Sequence, residues 1–347
     1  MKKAGIITPF GEYNFGNRLQ NYAVQEVLRK NGLDVETIKY TGLKCHVPPT
    51  DTKKDEDRLK RFKEFNQYIK FADEILYKEY DVVEGFVDNY DYIVLGSDQI
   101  WNFTCDRIFS DKALGSFAPK NKRISFSASF GVNYSPEKES EPYHICKKYL
   151  QDMKAISVRE DAGKEIVKEL TKREDVEVLI DPTMMLNAKE WEKVMKKPKN
   201  LKTNKFILKN FLGNTSDYVY KELKRIAREN NCEIIDVSDR NSDFYDVGPA
   251  EFLYLEKNAF LVATDSFHSC VFAILFSTPF IVSERDDNIL KSMYSRIETL
   301  LSKFKITDRI FEGEITQDIL NNDYEQVYSI LENERLKVNQ FLDKALS

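Results

Sequence analysis

The stretch ATDSFHSCVFAILFSTPFIV, Ala263–Val282, decides how this chain is read. An apolar run, AFLVAT, leads into it and stops at a polar cluster, Thr264–Ser269. An apolar segment of helical length follows and is broken by Ser277, Thr278 and Pro279, after which PFIVS is apolar again. Strand, helix and strand in so short a span make a β-α-β unit, and such units build parallel sheets. One of the chain's three histidines, His268, stands where the strand hands over to the helix.

The same alternation recurs on both sides. KAGIITPF reads as a strand, NFGNRLQNYAVQEVLRKNG as a helix stopped by Gly32, and DVETIKY as a strand. YDYIVLGSDQIWN is a strand entering a polar loop at Gly96, RISFSAS and KAISV are strands, and 136–151 and 159–171 are helices. Residues 44–57 read as a surface loop and 58–77 as an aromatic-rich helix. EVLIDPTMML reads as a short strand ending at Asp181-Pro182. The series then restarts with KFILKNFLGN, SDYVYKELKRIAREN, CEIIDV, GPAEFLYLEKN and AFLVAT, and 288–303 and 316–346 read as helices. The expected organisation is α/β, with two Rossmann-like doubly wound domains at 1–180 and 181–315. A C-terminal helix, 316–347, is expected to pack back on the N-terminal domain. Ligands of such sheets bind beyond the carboxyl ends of the strands.

Composition narrows the function classes. A formal net charge of −5 argues against a nucleic-acid partner found by bulk charge. The opening residues, MKKAGIITPF, lack the apolar core and cleavage site of a signal peptide, and the longest apolar run is too short to span a membrane. Five scattered cysteines without a CxxC pair fit reduced thiols and a cytoplasmic location. The histidines lie far apart and no HxH, HExxH or DxD pair occurs, so no metal is expected. His46 and His144 read as surface residues.

Four motifs can carry chemistry. In NFGNRLQNYA, Gly16 permits close backbone approach and Asn17 can cap a helix whose free amides favour an anion or a sugar hydroxyl. In GSDQIWN, Asp98, Gln99 and Asn102 stand beside Trp101, a pairing of polar acceptors with an aromatic plate that suits carbohydrate. In SVREDAG, Arg159 at a strand end can fork onto phosphate or carboxylate, or pair with Glu160 or Asp161. In TDSFHS, Asp265 or Ser266 can cap a helix with His268 in its first turn, where an imidazole can pass protons near neutral pH. Cys270 reads as a buried, inert thiol.

In this order, NFGNRLQNYA, YIVLGSDQIWN, FSASFG, SVREDAG, IDPTMML, VGPAEFL and TDSFHSCVFAILFSTPFIV resemble the polysaccharide pyruvyl transferase family, over about residues 5–300. The resemblance implies a GT-B-like arrangement and transfer of the pyruvyl group of phosphoenolpyruvate to sugar hydroxyls of a cell-surface polysaccharide or its lipid-linked precursor. No cofactor is implied beyond phosphoenolpyruvate as donor substrate. The family's histidine falls on His268 and its arginine on Arg159, which makes these the expected catalytic pair. Some members carry an arginine two residues before the histidine, where this chain has Ser266, and Ser269 stands where a glycine is expected. Arg285 and Arg296 are the candidates to replace that cation, so Ser266, Ser269, Arg285 and Arg296 form the expected donor set. Asn14, Gly16, Asn17, Asp98, Gln99 and Trp101 form the expected acceptor set. The implied partners are phosphoenolpyruvate and a sugar or lipid-linked oligosaccharide, with peripheral contact at the inner membrane surface. Two alternatives stay open: a GT-B glycosyltransferase using a nucleotide sugar, and a non-catalytic glycan-binding or assembly protein.

Overall fold

Strands paired in parallel are covered on both faces, so they must be apolar almost throughout. The short runs found in the sequence meet that demand. In the computed structural model, which describes residues 1–41, 51–106, 109–214, 216–285, 294–321 and 323–347, they form two sheets. The first contains β1 (Lys3–Ile7), β2 (Asp34–Thr41), β3 (Phe71–Tyr77), β4 (Tyr92–Leu95), β5 (Arg123–Ala128), β6 (Ala155–Val158) and β7 (Glu177–Val178). Its order is β3-β2-β1-β4-β5-β6-β7, and every neighbouring pair is parallel. The second contains β8 (Phe206–Asn210), β9 (Glu233–Asp236), β10 (Leu261–Thr264) and β11 (Phe280–Val282). Its order is β11-β10-β8-β9, again all parallel. β4, β5, β10 and β11 are buried at every position.

The helices are α1 (Phe15–Lys30), α2 (Lys53–Phe65), α3 (Glu141–Gln151), α4 (Asp161–Thr171), α5 (Ala188–Glu192), α6 (Asp217–Glu229), α7 (Pro249–Asn258), α8 (Phe267–Phe276), α9 (Ser295–Phe304), α10 (Gln317–Leu320) and α11 (Glu325–Ala345). Local chemistry sets their starts. Asn14, Ser140, Asn187 and Ser216 each accept a first-turn amide on a side-chain oxygen, which satisfies a donor the helix itself cannot. α8 differs from these: it is apolar nearly all round and buried from Phe267 to Leu275, as a helix enclosed in a core must be.

The described residues divide into two compact units. The first comprises those of Met1–Pro48, Asn66–Met185 and Asn333–Ser347, and the second those of Pro49–Phe65 and Leu186–Glu332. Helix α2 therefore belongs to the second unit and the end of α11 to the first, where Tyr92 Oη donates to the Leu346 carbonyl at 2.6 Å. Among the described residues, no helix is long and apolar enough to cross a membrane.

Several local expectations change. The helix expected over 58–77 ends at Phe65; a 3-10 turn, Asn66–Tyr68, follows, and Phe71–Tyr77 becomes the edge strand β3. Edge strands tolerate exposed charges, and Asp73 and Glu74 are exposed there. The expected loop 44–57 gives way to α2 from Lys53, whereas Cys45 and His46 lie outside the described residues. EVLIDPTMML yields only two strand residues, because Pro182 turns the chain into a 3-10 segment, Pro182–Met185. The helix expected over 316–346 is two, α10 and α11. Of the one expected over 288–303, residues 288–293 lie outside the described residues and α9 begins at Ser295.

Candidate functional site

In the first unit the polar motifs gather at the carboxyl ends of four adjacent strands, β4 to β7. Gly96, just after β4, has φ +117, and a Cβ there would meet the Phe126 carbonyl oxygen at 2.5 Å. Only glycine fits so close an approach. The Gly96–Ser97 peptide is cis and Asp98 has φ 60. This loop is tied to α1 twice. Gln20 Oε1 accepts the Ser97 amide at 3.1 Å, and Asn17 Nδ2 donates to Asp98 Oδ2.

Arg159, at the end of β6, is the centre of the cluster. Its side chain is 1% exposed. Nη1 donates to Asp181 Oδ2 at 2.9 Å, Nη2 to Asp98 Oδ1 at 3.1 Å, and Glu160 Oε2 lies 4.0 Å from Nε. Burial works against the charge, but Asp98, Asp181 and Glu160 outweigh it and hold the guanidinium above its ordinary value. Each carboxylate has further donors. Asp181 accepts from Ser97 Oγ and from the amide and hydroxyl of Thr183. Glu160 accepts from Ser129 Oγ and the Phe130 amide. A buried ion cluster is tolerable only when its lone pairs and protons are met in this way.

The structure thus brings together Asn17, Asp98 and Arg159 from three separate motifs. It also changes the role open to some of them. The Arg159 guanidinium, expected on a donor anion, is bonded to Asp98 and Asp181, and Glu160, one of the two neighbours foreseen as ion-pair partners, completes the cluster at 4.0 Å. Trp101, expected as a plate for a sugar face, is 0% exposed. Its indole Nε1 donates to the Ala113 carbonyl at 3.1 Å and its ring packs on Phe130, so both faces belong to the core. Gln99 Oε1 accepts from Asn102 Nδ2. Asn14 is exposed at the start of α1, and Gly16 is buried in its first turn. Asp181, Glu160 and Ser97 were not among the expected site residues, although IDPTMML and SVREDAG contain the first two.

In the second unit the strand ends of β8, β9, β10 and β11 supply a different set. Ser266 is the N-cap of α8 by backbone conformation, but its hydroxyl makes no capping bond; its carbonyl accepts the Cys270 amide at 3.1 Å. His268 lies in the first turn, 7% exposed, its ring edge-on to Phe267. Asp265 organises the β8 loop, accepting the Leu212 and Gly213 amides at 2.7 and 2.9 Å and Arg285 Nε at 2.7 Å. Arg296 is buried on α9 near the Phe267 ring. Ser269, expected to face the donor, is 0% exposed and points inward: its Oγ donates to Glu256 Oε1 at 2.6 Å and accepts from Asn210 Nδ2 at 2.8 Å. Burial drives the Glu256 carboxyl well above the ordinary range, against the Ser269 hydrogen bond that opposes it. Burial likewise raises the Cys270 thiol well above its usual value. Sequence reasoning had no signal for Glu256, since an acid on a helix normally faces water. Among the described residues, no group of three His, Cys, Asp or Glu side chains is placed to hold a metal ion.

Comparison with known proteins agrees on family and fold. A family model described as polysaccharide pyruvyl transferase matches residues 14–287. No curated protein matches the chain. Among solved structures, a UDP-GlcNAc 2-epimerase from Methanocaldococcus jannaschii is similar at 12% identity and a TM-score of 0.53, over 96% of this chain and 92% of that one. A UDP-N-acetylglucosamine 2-epimerase from Rickettsia bellii is similar at 12% identity and a TM-score of 0.52, over 100% and 96%. At that identity the likeness shows the fold alone: an α/β, GT-B-like pair of Rossmann-like domains with parallel sheets.

Proposed function

The chain belongs to the polysaccharide pyruvyl transferase family, and from that premise we propose that it moves the pyruvyl group of phosphoenolpyruvate onto two hydroxyls of a polysaccharide or lipid-linked sugar, forming a ketal. The observation that carries this reading is the position of His268. It stands in the first turn of α8 at a strand end, within the matched region, where the helix start favours an anion and an imidazole can deliver a proton.

His268 protonates the methylene carbon, turning CH2 into CH3 and leaving C2 electrophilic. One sugar hydroxyl adds to C2, and the C2–O bond to phosphate breaks. The second hydroxyl then closes the ketal. Of the two hydroxyl protons released, one balances that taken up by carbon and the other leaves on inorganic phosphate. The Ser266 hydroxyl lies at the helix start. Arg285, held through Nε and Nη2 by Asp265, would meet the donor's charge through Nη1, which has no hydrogen-bond partner among the described residues. Arg159 takes part through Asp98 and Asp181, as a residue that holds the strand-end loops in place. Asn14, Gly16, Asn17 and Gln99 remain the proposed acceptor contacts.

The test is transfer itself. Wild type and His268→Ala are incubated with phosphoenolpyruvate and a polysaccharide acceptor, while phosphate release and the new ketal methyl signal are followed. Both should appear in wild type and be nearly lost in the variant. Stabilisation by a UDP-sugar but not by phosphoenolpyruvate, with no methyl signal, would replace this reading with glycosyl transfer.

A further inference from the structure

We propose that the start of α1, backed by the guanidinium of Arg18, is a seat for an oxyanion carried by a sugar ligand, either a phosphate or a carboxylate. Arg18 is 1% exposed, and among the described residues no carboxylate lies within ion-pair distance of it. Its partners are neutral. Nη1 donates to Asn66 Oδ1, Nη2 to the Gly11 carbonyl at 3.3 Å, and the guanidinium lies 4.0 Å from the centre of the Phe10 ring. Nε is buried with no acceptor among the described residues. Burial lowers the guanidinium to about 10, with Glu12 opposing that from beyond contact distance.

A second feature points the same way. Helical side chains lean toward the N-terminus, and Arg18 reaches back past the first turn to residues that precede the helix. Its charge therefore adds to the positive end of a 16-residue helix with no acidic side chain in its first turn. Ordinarily that end is offset by an Asp or Glu and a buried arginine by a carboxylate. Here, among the described residues, Asp98 reaches the helix start only through the Asn17 side chain and Glu12 acts on Arg18 only from beyond contact, so an arriving oxyanion supplies the direct partner of both. The place in the sheet fits as well. β1 pairs with β2 on one side and β4 on the other, so the loop after β1 stands where the strand order reverses, which is where doubly wound sheets bind ligands. Arg159 shows the contrast: the other buried arginine at these strand ends is already met by carboxylates.

Assigning the oxyanion to the acceptor rests on the transfer reading, but the seat itself does not. The test therefore omits phosphoenolpyruvate. Thermal unfolding of the full chain is followed with glucose 1-phosphate, with glucuronate and with glucose. At least one of the two anions should raise the melting temperature, and neutral glucose should not; which anion acts separates phosphate from carboxylate. Arg18→Met and Asn14→Asp should each weaken binding roughly tenfold or more, the size of one charge-assisted contact. Asn14→Asp keeps the helix cap, because aspartate caps as well as asparagine, yet it places a negative charge at the seat. It therefore stands alone should Arg18→Met fail to fold. No rise with either anion, an equal rise with glucose, or a rise that survives in either folded variant would overturn the proposal. Anion binding without any pyruvyl transfer would leave the seat standing and remove only the transfer reading.

Discussion

At the strand ends of the first unit, one guanidinium, Arg159, stands among three buried carboxylates. At those of the second, His268 shares its helix turn with Ser269, whose partners are the neutral Asn210 and a Glu256 carboxyl that burial pushes well above the ordinary range. The two units have the same parallel construction, but the first gathers three carboxylates on one buried guanidinium, whereas the second has a single ion pair, Asp265 with Arg285, beside the hydrogen bonds of Ser269. The ionic cluster is a set of mutual obligations: removing a member leaves buried charge uncompensated. The Ser269 hydrogen bonds to Glu256 and Asn210 tie the first turn of α8 to α7 and β8 without adding a further ion pair there.

That contrast can be broken most directly at Arg159. Arg159→Met should cost about 3–5 kcal/mol, the usual loss when one partner of a buried ion pair is removed. Urea unfolding would read it. Unchanged stability with abolished transfer would instead make Arg159 a donor ligand.

The matching change in the second unit is His268→Gln. It should lower turnover by about 10²–10⁴-fold, the range for loss of a general acid. The unfolding midpoint should move by less than about 1 kcal/mol. A large stability loss there would erase the distinction between the clusters.

Glu256 sharpens the comparison through pH. Its carboxyl is raised in the folded state, so the native protein holds a proton that the unfolded chain releases above about pH 4.3. This group's stabilising contribution is whole below that pH and falls as pH rises toward the folded value, by up to about 1.4 kcal/mol per pH unit. Glu256→Gln, which keeps an acceptor for Ser269 Oγ, should remove that slope and be the more stable protein at pH 8. An identical difference from wild type at every pH would show that Glu256 is ionised after all.

The smallest effect is chemical. Burial pushes the Cys146 thiol up to about 12 and Cys270 well above its usual value, so native-state alkylation at pH 8 should spare both and label the half-buried Cys105. Fast labelling of Cys270 would mean that α8 opens and that the second cluster is not the fixed support described.

Much of the fold was legible from periodicity. The apolar runs of β1, β4, β5, β8, β10 and β11 and the stop at Gly32 are local signals, and they fell where expected. Residues 71–77 were not legible, because FADEILY fits a helix extension as well as an edge strand, and only pairing with β2 chooses between them. Trp101 misled for a related reason: a tryptophan beside polar residues looks the same whether its ring faces a sugar or Phe130. Ser269 and Glu256 could not be paired from sequence, as they lie on different helices.

The chain by itself determined that strands and helices alternate, that the sheets are parallel, and that His268, Arg159 and Asp98 follow strand ends. Those follow from residue spacing along a backbone of fixed period, which needs no knowledge of neighbours. Only the tertiary structure decided which charge meets which. Arg159 finds Asp181 and Asp98 at separations of 22 and 61 residues, because sheet order rather than sequence order sets who stands beside whom. It also surrounded Arg18 with Phe10, Gly11 and Asn66, none of which carries a charge to offer.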